Sequence, residues 1–306
     1  MPVLAQDPAF PSRQIRIVVG TVAGTLVDQS ARYYAEKMSV FLKQPVVVEN
    51  VSGASSLLAI RQVMKAPADG YTLLAAANTL VTVPHVNPRA GYAVSDFTAI
   101  GEMVRSPSLL VTRGAGPYRT LAELIAAARK SPGQVSYGSA GIGATNHLPV
   151  ELLARQAGVS FTHVPYKGIG AALPDAVAGR LSFVMGAATS MAELLKSGTL
   201  RPLAISLNRR SPKFPDVPTF RELGYPDVTF EVWVGVVGPA GIPAAAKSRL
   251  AEAMAFARAD HDIIRRLDAV GQEISPVRTP EQFAGVLRTD EDKFRKLIRD
   301  ANIIAD

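Results

Sequence analysis

The chain alternates repeatedly between a short β-branched run, a loop of small residues and a stretch of helical spacing. That alternation leaves little choice of fold class. Ile15-Arg16-Ile17-Val18-Val19 reads as a strand. The loop Gly20 to Gly24 follows it. Leu26, Ser30, Tyr33, Tyr34, Lys37 and Phe41 then fall at helical spacing, with both tyrosines and Phe41 on an apolar face. The order returns in Pro45 to Val48, the loop Asn50 to Ser56 and the helix Leu57 to Lys65. A turn at Pro67-Ala68-Asp69-Gly70 leads to a third strand, Tyr71 to Leu74.

A second series begins near residue 110. A helix opened by Thr120 stops at Ser131-Pro132-Gly133, and Val135 to Tyr137 is a short strand. The glycine-rich loop Gly138 to Thr145 precedes a helix starting near Asn146 or His147. Strands are expected at Phe161 to Val164, Leu181 to Met185 and Leu203 to Ser206, with a helix ending at Ala178 between the first two. Ser211 to Pro218 is an irregular loop. Phe230 to Val237 is a β-rich run placed to cross between domains, and the chain turns helical after Ile242-Pro243. Three capping boxes punctuate the helices, at Thr25–Asp28, Thr120–Glu123 and Ser190–Glu193, and Thr279-Pro280-Glu281-Gln282 caps the last long helix with Pro280 at its first position. Strands alternating with helices predict an α/β protein, mostly parallel sheets with helices on both faces. A length of 306 residues suggests two domains.

Several function classes fall away. There is no cysteine, which excludes disulfides, thiolate nucleophiles and cysteine-ligated metal. The net charge of +7 is scattered along the chain, without the basic-aromatic interleaving of a nucleic-acid surface. No apolar run reaches the length of a membrane span. The G-x-S-x-G elbow fails because Tyr137 stands two residues before Ser139. G-x-G-x-x-G fails at Asn146, no phosphate-binding P-loop occurs, and the four histidines form no close ligand pair. No complete signal peptide is visible, although Leu4-Ala5-Gln6 matches the remnant of a cleavage site.

What remains is a design for binding. Gly, Ser, Thr and Ala concentrate in loops 20–25, 50–56, 138–147 and 186–190, each after a strand. In open parallel sheets ligands sit beyond the carboxyl ends of strands. Small residues let backbone N–H groups approach, and a helix start adds free donors and positive potential. Two such loops facing one cleft would hold an anion. The candidate ligand-binding residues are Thr21, Val22, Ala23, Gly24, Thr25, Asp28, Ser55, Ser139, Ala140, Gly141, Thr145, His147, Tyr166, Lys167, Gly186 and Trp233. Some have a plainer role open to them: Asp28 as a helix cap, His147 as a structural hydrogen-bonder, Trp233 as packing, Lys167 as a solvated charge.

Ile15–Val19 with Gly24 and Asp28, Pro45-Val46-Val47-Val48-Glu49-Asn50 with Gly53-Ala54, and Ala68-Asp69-Gly70-Tyr71-Thr72 form an ordered set. It continues through Tyr137-Gly138-Ser139-Ala140-Gly141, Val164-Pro165-Tyr166-Lys167-Gly168, Pro215-Asp216-Val217-Pro218-Thr219 and Gly238-Pro239-Ala240-Gly241-Ile242-Pro243. In this order the sequence resembles the Bug-type periplasmic receptors, the solute-binding components (TctC-like) of tripartite tricarboxylate transporters. The resemblance implies a two-lobed periplasmic-binding-protein fold of type II, a Venus flytrap with its ligand cleft between the lobes. Residues 1–109 plus 232–306 would form one lobe and 110–231 the other, hinged near 107–112 and 228–235. It implies a monomeric periplasmic receptor, not an enzyme, that uses no cofactor or metal and captures a small carboxylate. The partner would be a membrane permease or, alternatively, a sensor kinase. An enzyme on the same scaffold would rest on His147 beside Ser139. Two departures stand out. The first loop lacks the family's prolines and one glycine, which predicts a looser loop. Gly186 stands where the family often carries Asp, which predicts a roomier, less negative pocket.

Overall fold

The computed structural model describes residues 10–269, 272–300 and 303; the Leu4-Ala5-Gln6 stretch lies outside them. The chain opens with β1 (Ile15–Val19), α1 (Leu26–Leu42), β2 (Val46–Asn50), α2 (Leu57–Met64), β3 (Thr72–Ala77), α3 (Thr79–Val86) and the long β4 (Phe97–Arg113). It continues with α4 (Leu121–Lys130), β5 (Ser136–Ser139), α5 (Leu148–Ala157), β6 (Thr162–Pro165), α6 (Ile169–Ala178), β7 (Phe183–Ala187), α7 (Ala192–Lys196) and β8 (Leu200–Ile205). The last segment holds β9 (Glu231–Pro239), α8 (Ala244–Arg258), α9 (His261–Ala269), β10 (Glu273–Ile274) and α10 (Pro280–Asp300). None of the described helices is long and apolar enough to cross a membrane.

In the first lobe β1 pairs in parallel with β2 and β3. Ile15, Ile17 and Val19 pack with α1 and α8 on one face, while Val18 packs with α2, α3 and α10 on the other. Cover on both faces explains why this strand is apolar almost throughout instead of alternating. In the second lobe β5 pairs in parallel with β6 and β7. Separate apolar clusters lie on the two sides of that sheet, one with α4 and α5 and one with α6.

β4 joins the lobes. It is antiparallel to β9 from Phe97↔Pro239 to Pro107↔Glu231, then changes partner and pairs with β7 from Ser108↔Ala187. The strand directions settle where the crevice lies. β9 is antiparallel to both β3 and β4, so β4 runs with β1 and β3 and leaves the first sheet where they end. It is antiparallel to β7, so it enters the second sheet where β5, β6 and β7 end. Both sets of carboxyl ends therefore face the crossover at Pro107–Ser108.

Four expectations change. Phe230–Val237 does not cross between lobes; most of it is β9, which pairs with β3 and β4 in the first lobe. The crossings are β4 itself and the backbone just before Glu231, where the Phe230 N–H donates to Ser206 O at 3.0 Å. α3 and the part of β4 before residue 107 lie between the expected elements, with Pro84 inside α3 and Pro107 inside β4. The Ser190–Glu193 capping box does not form: a 3-10 turn covers Ala188–Met191 and α7 begins without a side-chain cap. At Thr25 and Thr120 only half of the box is made, because Asp28 and Glu123 reach one residue further back, to the Gly24 and Arg119 N–H groups. Thr279 and Gln282, expected only to cap α10, form the full reciprocal box.

Candidate functional site

Loop 20–25 follows β1 into the crevice, and Asp28 holds it. The buried Asp28 carboxylate accepts from Gly24 N at 2.9 Å, Arg32 Nε at 3.0 Å and Asn50 Nδ2 at 2.9 Å. Asn50 Nδ2 also donates to Thr21 O at 3.0 Å. Burial by itself would raise the Asp28 carboxyl, but Arg32, the Gly24 N–H and Asn50 together hold it below the ordinary carboxylate value. Asp28 thus positions the loop, and its oxygens are engaged. The network links the loop to α1 and to β2. Val22, Ala23 and Gly24 stand exposed at its tip, with Thr21 and Thr25 half-buried and their hydroxyls 2.6 Å apart.

Beside it, Ala54, Ser55 and Ser56 all take left-handed backbone angles, with φ of 47°, 53° and 72°. Each such residue costs about 1–3 kcal/mol and survives only where its surroundings enforce it. Ser56 Oγ donates to Gly20 O at 3.2 Å, and a Cβ on Gly20 would fall 2.4 Å from Ser56 Cβ. Gly20, Thr21, Ser56, Ala77, Thr79 and Leu80 line a small cavity there. Thr79 and Ser56 were not among the candidates. Their signal was present in Ala75-Ala76-Ala77-Asn78-Thr79, another small-residue run after a strand.

Across the crevice, loop 139–147 follows β5. Its amides are less free than the sequence suggested. Ala140 N donates to Asn146 Oδ1 at 3.0 Å, Gly141 N to Ser139 Oγ at 3.0 Å, and Gly143 N to His147 Nδ1 at 3.2 Å. Side chains of the same loop take these donors because the turn brings them within reach. Thr145 is half-buried in this loop. Ser139 Oγ lies 2.6 Å from Nε2 of His163, a residue absent from the candidates. The His147–Ser139 pair of the enzymatic alternative is therefore not made. The His147 and His163 rings lie 4.3 Å apart. Tyr137 stacks on His163 and donates its hydroxyl to Glu151 at 2.6 Å.

Burial, reinforced by the neighbouring His163, pushes His147 down to about 3, and burial lowers His163 as well. An unfolded histidine titrates near 6.5, so the unfolded chain takes the proton first. Stability is fully present above that pH and declines as pH falls toward 3, by about 1.4 kcal/mol per unit for this group. His147→Asn, which retains an acceptor for Gly143, is expected to flatten the fall in melting temperature between pH 6.5 and 4. An unchanged slope would show that His147 is not the group responsible.

The remaining candidates divide. Tyr166 donates its hydroxyl to Asp175 at 2.5 Å, Lys167 is exposed, and Ser55 is exposed beside the first loop. At Gly186, a Cβ would meet Ile169 Cγ1 at 3.3 Å and Met191 Cε at 3.9 Å. Trp233 does not offer its ring to the crevice. It is 1% exposed, lies edge-on to Phe283 and donates its indole N–H to Asp290 at 2.7 Å. α3 bridges the two walls. Thr79 lines the first cavity, while Thr82 Oγ1 donates to Gly143 O at 3.1 Å and Val86 packs on Gly143.

Residues 30–303 match the model of the tripartite tricarboxylate transporter family receptor. The UPF0065 protein of the tcbD-tcbE intergenic region of Pseudomonas sp. (strain P51) is 35% identical over 292 residues, 95% of this chain and 87% of that protein. A solved periplasmic transporter superposes with a TM-score of 0.87 at 32% identity, covering 97% of this chain and 100% of that one. R. palustris Rpa4515, solved with adipate, gives 0.86 at 31% identity over 96% of this chain and 99% of its own.

Proposed function

The chain belongs to the tripartite tricarboxylate transporter receptor family, and from that premise we propose that it captures a small organic carboxylate by lobe closure and delivers it to a tripartite tricarboxylate-type permease. The observation that carries this reading is topological: the carboxyl ends of β1 and β3 and those of β5, β6 and β7 face one crevice, spanned by β4. Thr21, Gly24, Ser55 and Thr79 would contribute from one wall, and the loop after Ser139 with Thr145 and Lys167 from the other. Adipate in Rpa4515 supports a carboxylate as the class of ligand. Residues 1–109 plus 232–306 and 110–231 would move as the two bodies. The hinge would lie where Ser108 N donates to Ser206 Oγ at 2.9 Å and the Ser206 hydroxyl to Phe230 O. The protein would act in the periplasm, as a receptor and not as an enzyme.

A panel of mono-, di- and tricarboxylates tests this. A ligand at 100 times its Kd stabilises the fold by about 2.7 kcal/mol. For a chain this long the melting temperature should rise by roughly 5 °C. A flat response across aliphatic and aromatic acids at millimolar concentration would overturn carboxylate capture.

A further inference from the structure

Resting on closure of the lobes around a ligand, we infer that the motion is one-sided: the lobes pivot on a buried seat between α3, α10 and the start of α5, and part on the opposite face, at Lys213 and Asp268. Leu148, at the start of α5 in the second lobe, is 0% exposed and belongs to the apolar cluster that α3 and α10 form on the first lobe. Ile142 and Leu152 of the second lobe pack against the same cluster. Thr82 Oγ1 of α3 donates to Gly143 O at 3.1 Å, and both residues are buried. Lys293 of α10 donates to Thr229 O in the backbone returning to the first lobe, and Gln156 of α5 donates to Asp227 just before it. Apolar packing here is continuous from one lobe to the other.

The other face is joined differently. α9 packs with α1 and α8 on the far side of the first sheet. The loop after β8 packs Phe214 and Val217 with α6 on the far side of the second. Between them Lys213 Nζ meets Asp268 Oδ1 at 2.6 Å and Gln272 O at 3.5 Å. The Lys213 and Asp268 side chains are 33% and 68% exposed. An open groove lined by Lys213, Ile264, Arg265, Asp268, Gln272 and Ile274 runs beside the pair. Burying a leucine side chain outweighs an ion pair this exposed severalfold. Opening therefore spares the seat and separates the ion pair. The crossover at Pro107–Ser108 and the seat are two fixed points, and two points define one axis of rotation. The face that opens is that of α1, which loop 20–25 enters: Ser30 Oγ of α1 donates to Gln272 Oε1 at 2.9 Å.

The chain has no cysteine, so spin labels can be placed by substitution alone. Arg155→Cys with Lys296→Cys reports on the seat, from α5 and α10. Lys196→Cys with Arg265→Cys reports on the opposite face, from α7 and α9. All four positions are exposed. Pulsed electron–electron resonance on the full chain gives the distance distribution of each pair. Asp268→Lys sets two ammonium groups face to face. It is expected to lengthen the Lys196–Arg265 distance by about 5 Å or more while the Arg155–Lys296 distance stays within about 2 Å. Equal lengthening of both pairs, a larger change at the seat, or no change in either overturns the inference. No ligand is added, so that result leaves carboxylate capture to be judged by the acid panel alone.

Discussion

Gly143→Ala is expected to weaken ligand binding by roughly a hundredfold, equivalent to about 2.7 kcal/mol. Gly143 is buried with φ +75°, where a Cβ costs about 1–2 kcal/mol. That Cβ would also lie 2.6 Å from Cγ2 and 2.9 Å from Cγ1 of Val86. Val86 belongs to α3 of the first lobe and Gly143 to a loop of the second, so the clash pushes one wall from the other. It also strains the Thr82–Gly143 hydrogen bond, which links the same elements. Gly158→Ala is the control. Gly158 shares the left-handed backbone, φ +62°, but a Cβ there would meet nothing within 4 Å. It should lose about 1 kcal/mol of stability and keep its affinity. Calorimetric titration with the tightest acid of the panel separates the two variants. Equal affinities would mean that contact between α3 and this loop has no part in holding the ligand.

Trp233→Ala carries the largest expected loss of stability, about 3–5 kcal/mol for the buried aromatic volume. It also leaves the Asp290 carboxyl without its indole donor, in a place where burial already raises its pKa. Trp233 N donates to Asn78 Oδ1 at 3.2 Å, and Asn78 Nδ2 to Glu231 O at 3.2 Å. The ring therefore sits in a strap joining β9 to the start of α3 and to α10. Trp233→Phe keeps a ring against Phe283 and removes only the N–H, and should cost about 1–3 kcal/mol. Urea unfolding measures both losses. If Trp233→Phe reduces affinity far more than stability, the ring is a ligand contact and packing is the wrong assignment.

Much of the α/β pattern was legible residue by residue. Ile15–Val19 and Leu26–Leu42 formed where expected because the β-branched run and the helical spacing are local properties of consecutive residues. Thr279 and Gln282 capped α10 for the same reason. Local propensity disfavours Pro84 inside α3 and Pro107 inside β4, and tertiary pairing tolerates both, so only the end of β4 near 107–112 was legible. Asp28 could be read as a helix cap, but its pairing with Asn50 across the sheet edge could not. His163 carried no local signal at all: its relation to Ser139 exists only because β5 and β6 are neighbours in parallel.

Alternation of strand and helix, together with small residues after the strands, determined from sequence alone that this chain would build parallel sheets with receptive loops at their carboxyl ends. Periodicity and turn chemistry act within a few residues, so they survive in the bare order of amino acids. Which amides in those loops remain available, what fills the place of Gly186 and where Trp233 points were decided only by tertiary structure. Those outcomes depend on side chains far apart in sequence competing for the same donors and the same volume.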